Sequence, residues 1–195
     1  MIRTSTRADR DALYDVGLRC GDAGQDASDL FDDPRLIGEV YVGPYLALEP
    51  ATCLTLDLDG PAGYALGAPD TAAFAAHAER EWWPPLRERY PLDVARRRTD
   101  AALVAELYAP PTAPPDVVAT YPAHLHIDLL PRGRGQGWGR RLIDELCGRL
   151  AAAGSSGVHL TVASSNHSAI GFYERLGFTT VAHLDDADVM AMPLR

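Results

Sequence analysis

The chain has 195 residues and a formal net charge of −9 at pH 7, with 47% hydrophobic and 23% charged residues. This composition predicts one globular domain over residues 1–195 and excludes a disordered or fibrous chain. No apolar run approaches the roughly 20 residues of a membrane span, and residues 1–20 lack the apolar centre of a signal peptide. The acidic balance disfavours nucleic-acid binding, and three widely spaced cysteines are typical of reduced thiols. We therefore expect a cytoplasmic protein without a nucleic-acid or membrane partner.

The first third of the chain predicts one helix followed by a strand-rich segment. Thr6 opens a capping box in which Asp9 stands for the usual Glu, and an amphipathic helix is expected after it. Residues 21–35 are rich in Asp and Gly and predict a loop, which is either simply solvated or steers a cationic amine. The Asp59-Gly60 pair predicts a hairpin turn. Apolar alternation predicts strands at 40–42, 45–48, 53–58 and 61–67.

The middle of the chain predicts helices and a proline-rich connector. Asp70 is the expected cap of a helix over about 72–83, which the following proline pair ends or restarts. Trp82 and Trp83 are adjacent and must point in two directions, so one is expected in the core while the other is a candidate wall of a pocket. A further helix is expected over 100–108.

A strand, a glycine-rich loop and a helix follow one another between Leu125 and Gly154. The apolar run 125–130 predicts a strand, and leucines at every fourth position from Leu142 predict a helix. Unpaired backbone N–H groups converge at the start of such a helix, where the helix dipole is positive, so the natural ligand is a phosphate. The glycines of the loop are Gly133, Gly135, Gly137 and Gly139.

The loop is also basic within an acidic protein, which favours a small polyanionic ligand. A glycine-rich connector with a solvated basic edge is the simpler alternative. A Walker A loop requires a lysine and the chain has none, while the glycine spacing does not fit the G-x-G-x-x-G dinucleotide motif. The arginines concerned are Arg132, Arg134, Arg140 and Arg141.

Two sequence blocks resemble the GCN5-related N-acetyltransferase (GNAT) superfamily. Arg134, Gly137 and Gly139 fill the R-x-x-G-x-G pattern of its acetyl-CoA loop, and residues 165–178 resemble its N-x-x-A-x-x-F-Y-x-x-x-G-F segment. The resemblance implies an α/β (α+β) fold in which helices flank a mixed twisted sheet, with the acetyl-CoA loop between the central strand and a helix. It also implies acetyl-CoA as the co-substrate of an N-acetyltransferase.

A narrower resemblance covers nearly the whole chain. Residues 63–67, 79–87 and 121–127 are similar to bacterial acetyltransferases related to the acetyltransferase-like C-terminal domain of eukaryotic O-GlcNAc hydrolases. Relative to the superfamily minimum the segment of about 70–122 is an insertion, which we expect to shape the acceptor side of the site.

The resemblance assigns binding roles residue by residue. Backbone groups of Leu129 and Leu130 would bind the acyl carbonyl and the pantetheine arm, and Asn166 would contact that arm. Tyr173 would protonate the leaving thiolate; a core aromatic residue is the alternative interpretation. The residues expected to hold the pyrophosphate through their N–H groups are Arg134, Gly135, Gln136, Gly137, Trp138, Gly139 and Arg140.

Three polar residues of the central strand are candidates for the general base. His124, His126 and Asp128 alternate and would share one face of a regular strand, but a bulge, common in the superfamily, would move side chains between faces. The sequence leaves open whether Asp128, His126 or a water chain accepts the proton.

Two other kinds of protein remain alternatives to an enzyme that acetylates a small-molecule or peptide amine. One is a non-catalytic acyl-CoA- or peptide-binding module. The other is a metal site on His124-x-His126 with His159 or His167, but this spacing matches no standard zinc pattern, so we expect no metal. The sequence permits a homodimer through an edge strand but does not require one.

Overall fold

The computed structural model describes residues 1–94 and 96–195, and a seven-stranded sheet forms its centre within those ranges. The strands are β1 (Ile2–Thr4), β2 (Cys53–Asp57), β3 (Pro61–Ala68), β4 (Ala123–Leu129), β5 (Gly157–Ala163), β6 (Thr179–His183) and β7 (Ala187–Pro193). They lie in the order β1-β2-β3-β4-β5-β7-β6. Neighbouring strands are antiparallel except β4 and β5, which are parallel. The predicted mixed sheet is confirmed.

Helices cover both faces of this sheet. They are α1 (Arg10–Leu18), α2 (Leu36–Tyr41), α3 (Gly43–Leu48), α4 (Thr71–Glu81), α5 (Trp83–Arg89), α6 (Arg98–Tyr108), α7 (Pro115–Thr120), α8 (Trp138–Ala152) and α9 (His167–Glu174). On one face α8 buries Leu142, Leu146 and Leu150 against β2, β3 and β4. On the other face α1 packs against β3 and β4. The alternation of strand side chains therefore separates two cores, one under each helix layer.

The strands predicted at 40–42 and 45–48 are wrong, because Val40 and Tyr41 lie in α2, Val42 separates the two helices, and residues 45–48 lie in α3. Valine and tyrosine favour strands, but that preference reflects packing more than the backbone. Here Ile37 and Val40, three positions apart, share one face of α2 and bury it against Leu107 of α6. Pro44 stands within the first turn of α3, where its missing N–H has no cost. Tertiary burial has thus overridden local propensity.

The predicted caps and turns are confirmed. The carboxylate of Asp9 accepts the Thr6 N–H at 2.7 Å and completes the capping box. Asp59 and Gly60 have φ angles of 52° and 100°, as a tight hairpin requires. Asp70 accepts the N–H of Ala73 at 2.9 Å at the start of α4.

Strand β4 pairs along its length with β3 on one side but only briefly with β5 on the other. Its pairing with β3 runs without a register shift from His124 to Leu129, so no bulge interrupts it there. Its pairing with β5 is limited to two positions, Ala123 opposite Val158 and His124 opposite His159. His124, His126 and Asp128 consequently share one face, the face that α1 covers.

Candidate active site

The glycine-rich loop leads directly into the first turn of α8. Gly135 and Gly137 have φ angles of 74° and 79°, and open space surrounds the position that a Cβ would take on either. The first intrahelical bond of α8 runs from the Arg141 N–H to the Gly137 carbonyl at 3.2 Å. The amides before Arg141 have no acceptor within the helix. They lie at the N-terminal end of α8, where the helix dipole is positive. This arrangement fits a diphosphate, because it offers several N–H donors and the space beside Gly135 and Gly137 is open.

Two of the predicted backbone contacts need correction. The Arg134 N–H donates to the Pro131 carbonyl at 3.1 Å, so the series of unpaired amides begins at Gly135. The Leu130 N–H donates to the Ala62 carbonyl at 2.9 Å, and the Leu130 carbonyl accepts from Gly133. The Leu130 N–H is therefore not available to an acyl chain, because it already pairs with Ala62. By the alternation of an antiparallel ladder, the backbone groups that point toward β5 are those of Ile127 and Leu129.

The side chain of Arg134 joins the coenzyme loop to the turn after α1. Its Nε donates to the Leu129 carbonyl at 2.6 Å, and one terminal nitrogen donates to the Gly24 carbonyl at 2.8 Å. Asn166 holds the same turn through the Ala23 carbonyl at 3.3 Å, while its Oδ1 caps α9 by accepting from Ala169 at 3.1 Å. Arg134 and Asn166, two residues that the resemblance assigns to the coenzyme, therefore also fix the turn after α1 through their side chains.

The other residues of the loop and of the first turn of α8 contact different parts of the structure. Gln136 donates to the Arg132 carbonyl at 3.1 Å and stays within the loop. Arg140 donates to the Arg175 carbonyl at 2.8 Å and connects α8 to the end of α9. Trp138 packs against the core with the Arg141 guanidinium 4.9 Å from its ring centre. A Cβ on Gly139 would lie 3.1 Å from the Phe172 ring, so a larger residue there would push α9 away.

Two cavities meet where β4 and β5 separate. One lies beside the glycine-rich loop and the start of α8, and the other extends under α2, α4 and α6; each has a volume of about 730 Å³. Both are lined by Ile127 and Asp128 of β4, Val162 of β5, and by Asn166 and Tyr173 at α9. We call them the loop cavity and the helix cavity. Their junction is the place where two ligands can touch.

The partly buried carboxyl group of Asp128 lies at this junction. Burial raises the pKa of Asp128 to about 7, although a hydrogen bond from Tyr64 and the charge of Arg134 both oppose the rise. A base with a pKa near the working pH is present in its deprotonated form and still holds a proton well. Asp128 therefore has the protonation behaviour that a general base requires.

Tyr173 faces the same junction from α9. Burial, with a smaller effect from the negative charge of Asp128, raises the pKa of its phenol above the ordinary value, so the hydroxyl is protonated at neutral pH. In the part of the chain that the structure describes, this hydroxyl has no hydrogen-bond partner, and it is not sealed from solvent. It is free to donate a proton to a group placed between the cavities.

The two histidines of β4 differ in availability. Tyr45 donates to Nε2 of His124 at 2.7 Å, and Nδ1 lies 2.8 Å from the Thr71 hydroxyl, which itself donates to the Pro122 carbonyl. His124 is thus a neutral imidazole with both nitrogens engaged, and burial lowers its pKa well below the ordinary value. His126 has no hydrogen-bond partner among the described residues, and burial lowers its pKa to about 4, so it too is neutral.

Several site residues carry no signal in their own sequence neighbourhood. Trp83 is buried and lines the helix cavity, whereas Trp82 donates to the Glu39 carbonyl at 2.9 Å outside it. The sequence had assigned the core and the pocket wall to different tryptophans, whereas Trp83 occupies both positions. The cavity residues without any such signal come from five different elements: Tyr41, Tyr45, Tyr64, Thr71 and Glu106.

Neither a metal cluster nor a membrane-spanning helix is found in residues 1–94 and 96–195. No three His, Cys, Asp or Glu side chains there are grouped to hold a metal ion. No helix in the same ranges combines the length and apolar character that a bilayer crossing requires. The three cysteines are unpaired thiols, as expected.

Comparison with known proteins identifies the family. The acetyltransferase (GNAT) family profile matches residues 27–178, which is most of the chain. The protein therefore belongs to the GNAT acetyltransferase family.

The relatives support the narrower resemblance as well. The rat protein O-GlcNAcase is 26% identical over 156 residues, which are 78% of this chain but only 17% of that protein. The crystal structure of SsHAT is 34% identical, covers 100% of this chain and 98% of its own, and superposes with a TM-score of 0.90. A GNAT superfamily phosphinothricin acetyltransferase from Sinorhizobium meliloti, solved in complex with acetyl-CoA, shares the fold at 18% identity and a TM-score of 0.56, covering 100% and 88% of the two chains.

Proposed function

We propose that this protein is an N-acetyltransferase that moves an acetyl group from acetyl-CoA directly to an amine. The observation that carries the proposal is the position of Asp128 and Tyr173, which line the junction of the loop cavity and the helix cavity. The loop cavity suits the coenzyme because its wall contains the unpaired amides at the start of α8. The helix cavity suits the acceptor, and the two ligands would meet beside one base and one acid.

Acetyl-CoA supplies the activated acetyl group, and the protein's own residues manage the protons. In the reaction the amine nitrogen bonds to the acetyl carbon and the carbon–sulfur bond breaks. Asp128 accepts one proton from the amine, and Tyr173 gives one proton to the departing sulfur. The proton held by Asp128 then returns to the phenolate within the junction that both side chains line. The products are the amide and free CoA.

Direct transfer is favoured over an acetylated enzyme intermediate. Cys20 is the cysteine that lines the helix cavity, and its thiol donates to the Leu129 carbonyl at 3.4 Å. Burial raises the pKa of Cys20 to about 11, so the thiolate that would attack a thioester is scarce at neutral pH. Protein incubated with acetyl-CoA alone should therefore show no added acetyl mass, and Cys20→Ala should keep its turnover.

The test is release of CoA thiol from acetyl-CoA in the presence of amines, with the acetylated product identified by mass spectrometry. Amine-dependent release at neutral pH supports the proposal. A non-catalytic acyl-CoA-binding module predicts a different result, in which acetyl-CoA raises the melting temperature but no amine releases thiol. Absence of any rise in melting temperature would contradict both functions.

A further inference from the structure

The helix cavity has aromatic walls and an acidic lining. Three carboxyl side chains face it, those of Glu79, Glu106 and Asp128, and no arginine or lysine lines it among the residues that the structure describes. Its aromatic walls are formed by Phe31, Tyr41, Tyr45, Phe74 and Trp83. Such a cavity attracts cationic ligands with an apolar body and repels ligands that carry a carboxylate or phosphate.

Glu106 of α6 is a carboxylate without a charged partner among the described residues. The Tyr41 hydroxyl donates to its Oε2 at 2.7 Å, and the described residues provide no other hydrogen bond and no ion pair to it. Burial raises the pKa of Glu106, since the charged form is poorly compensated. A partly buried carboxylate of this kind gains most from a cation that both neutralises it and donates hydrogen bonds.

Glu106 and the reacting end of the cavity are joined by a row of side chains. Tyr41, which holds Glu106, has its ring centre 5.8 Å from that of His126. His126 and Asp128 point from the same face of β4, about 7 Å apart along the strand. One carboxyl group therefore stands at the outer end of the row and another at the junction with the loop cavity. The neutral imidazole of His126 and the aromatic rings lie between them.

Resting on the proposed function, we propose that the acceptor is a diamine. One amino group, neutral when it reacts, lies at Asp128; the other stays charged and binds Glu106. The hydrocarbon between the amino groups packs against the aromatic walls and His126. Acetylation follows the balance given above, and the distal ammonium takes no part in it. Amines that carry a carboxylate in place of the second amino group are rejected by the like charge of Glu106.

Glu79 provides a matched control within the same cavity. It also lines the helix cavity, but Arg87 already binds both of its oxygens at 2.5 and 2.7 Å. Its side chain is more than half exposed at 55%. Replacing this carboxylate with an amide should therefore leave the preference for a diamine in place.

The experiment compares three acceptors of matched length on the full chain: cadaverine, pentylamine and δ-aminovalerate. We expect the unchanged protein to use cadaverine with a kcat/KM about 10- to 100-fold above that for pentylamine, the size of a charge-assisted contact. δ-Aminovalerate should be the poorest acceptor. Glu106→Gln should lower kcat/KM for cadaverine to the pentylamine value, whereas Glu79→Gln should not.

Failure of this inference is separable from failure of the proposed function. Equal use of cadaverine and pentylamine, or an unchanged preference in Glu106→Gln, overturns the diamine assignment while amine-dependent thiol release still stands. If no amine releases thiol, calorimetry of cadaverine binding to the CoA-loaded protein decides whether a diamine is a ligand of the helix cavity. Binding that is lost in Glu106→Gln supports a diamine ligand, and absence of binding to the unchanged protein overturns it.

Discussion

Tyr64 donates a hydrogen bond to Oδ2 of Asp128 from the position directly opposite on the β3–β4 ladder. Burial raises the pKa of Tyr64 well above the ordinary value, so its hydroxyl remains a donor throughout the neutral range. The bond favours the ionised form of Asp128, whereas burial favours the protonated form. The balance between these two effects sets the protonation of the proposed base.

The first prediction concerns the pH dependence of catalysis. We expect kcat/KM to rise with pH through about 7, because Asp128 must be deprotonated to accept the amine proton. Tyr64→Phe removes the bond that lowers the pKa of Asp128, so this limb should move to higher pH by on the order of one unit. Initial rates of thiol release across pH 5–9 measure it.

Tyr90→Phe is the matched control for Tyr64→Phe. Tyr90 also donates to a carboxylate, that of Asp33 at 2.7 Å, but it does not line either cavity. The pH profile of kcat/KM for Tyr90→Phe should coincide with that of the unchanged protein. If the rise of kcat/KM with pH stays at the same pH in Tyr64→Phe, Asp128 is not the titrating base.

The second prediction separates catalysis from coenzyme binding at Tyr173. Tyr173→Phe should lower kcat roughly 100- to 10,000-fold, since the proton for the leaving sulfur is lost. The ring that packs against Phe172 and Phe178 is retained, so the fold should be unaffected. The rise in melting temperature with acetyl-CoA should persist. Full turnover in this variant would show that Tyr173 has only a structural role.

The third prediction concerns the conformation of the coenzyme loop. Gly137→Ala forces an alanine into a φ of 79°, so it should lower the free energy of unfolding by about 1 kcal/mol and weaken acetyl-CoA binding. Gly148→Ala is the control in the same helix, where a Cβ meets only open space and φ is helical. That change should stabilise the protein by about 0.5–1 kcal/mol without affecting the coenzyme. Urea unfolding and calorimetry test both, and equal coenzyme affinity in the two variants would contradict the proposed cradle.

The fourth prediction is that Asp128 and His126 change stability with pH in opposite directions. The folded pKa of Asp128, about 7, exceeds the ordinary pKa of an aspartate, 3.8. The unfolded chain therefore ionises first, and stability is lost as pH rises from about 4 to 7. The folded pKa of His126, about 4, lies below 6.5, so stability is lost as pH falls from 6.5 to 4.

Single variants reveal each contribution as a difference from the unchanged protein. Asp128→Asn should be more stable at pH 7 by on the order of 3–4 kcal/mol, and the difference should vanish near pH 4. His126→Gln should lose less stability than the unchanged protein between pH 6.5 and 4. Chemical unfolding at several pH values measures both differences. A stability difference for Asp128→Asn that does not vary with pH would contradict the raised pKa.

The features that could be predicted from the sequence are those encoded by short contiguous motifs. The Asp59-Gly60 hairpin, the cap at Asp70 and the glycine-rich loop each depend on residues that are neighbours in the chain. The two GNAT blocks also place the loop and α9 correctly relative to one another. Local chemistry dictates these features, so the sequence alone suffices.

The features that could not be predicted depend on register and tertiary packing. That Tyr64 lies opposite Asp128 follows from the β3–β4 register, which the sequence of neither strand specifies. Glu106 reaches the cavity because α2 is a helix that brings Tyr41 against it, and the sequence had predicted a strand there. The engaged amide of Leu130 likewise depends on Ala62, distant in the chain. Each depends on contacts that form only when separate elements assemble.

The contact between Arg134 and Gly24 joins positions 110 residues apart in the chain. An engineer who lengthens or shortens the turn after α1 to accommodate a bulkier acceptor will also displace the guanidinium that braces the coenzyme loop. Selection for a new acceptor at this turn should therefore be accompanied by compensating changes at Arg134, and libraries that vary the two segments together should succeed more often than those that vary either one.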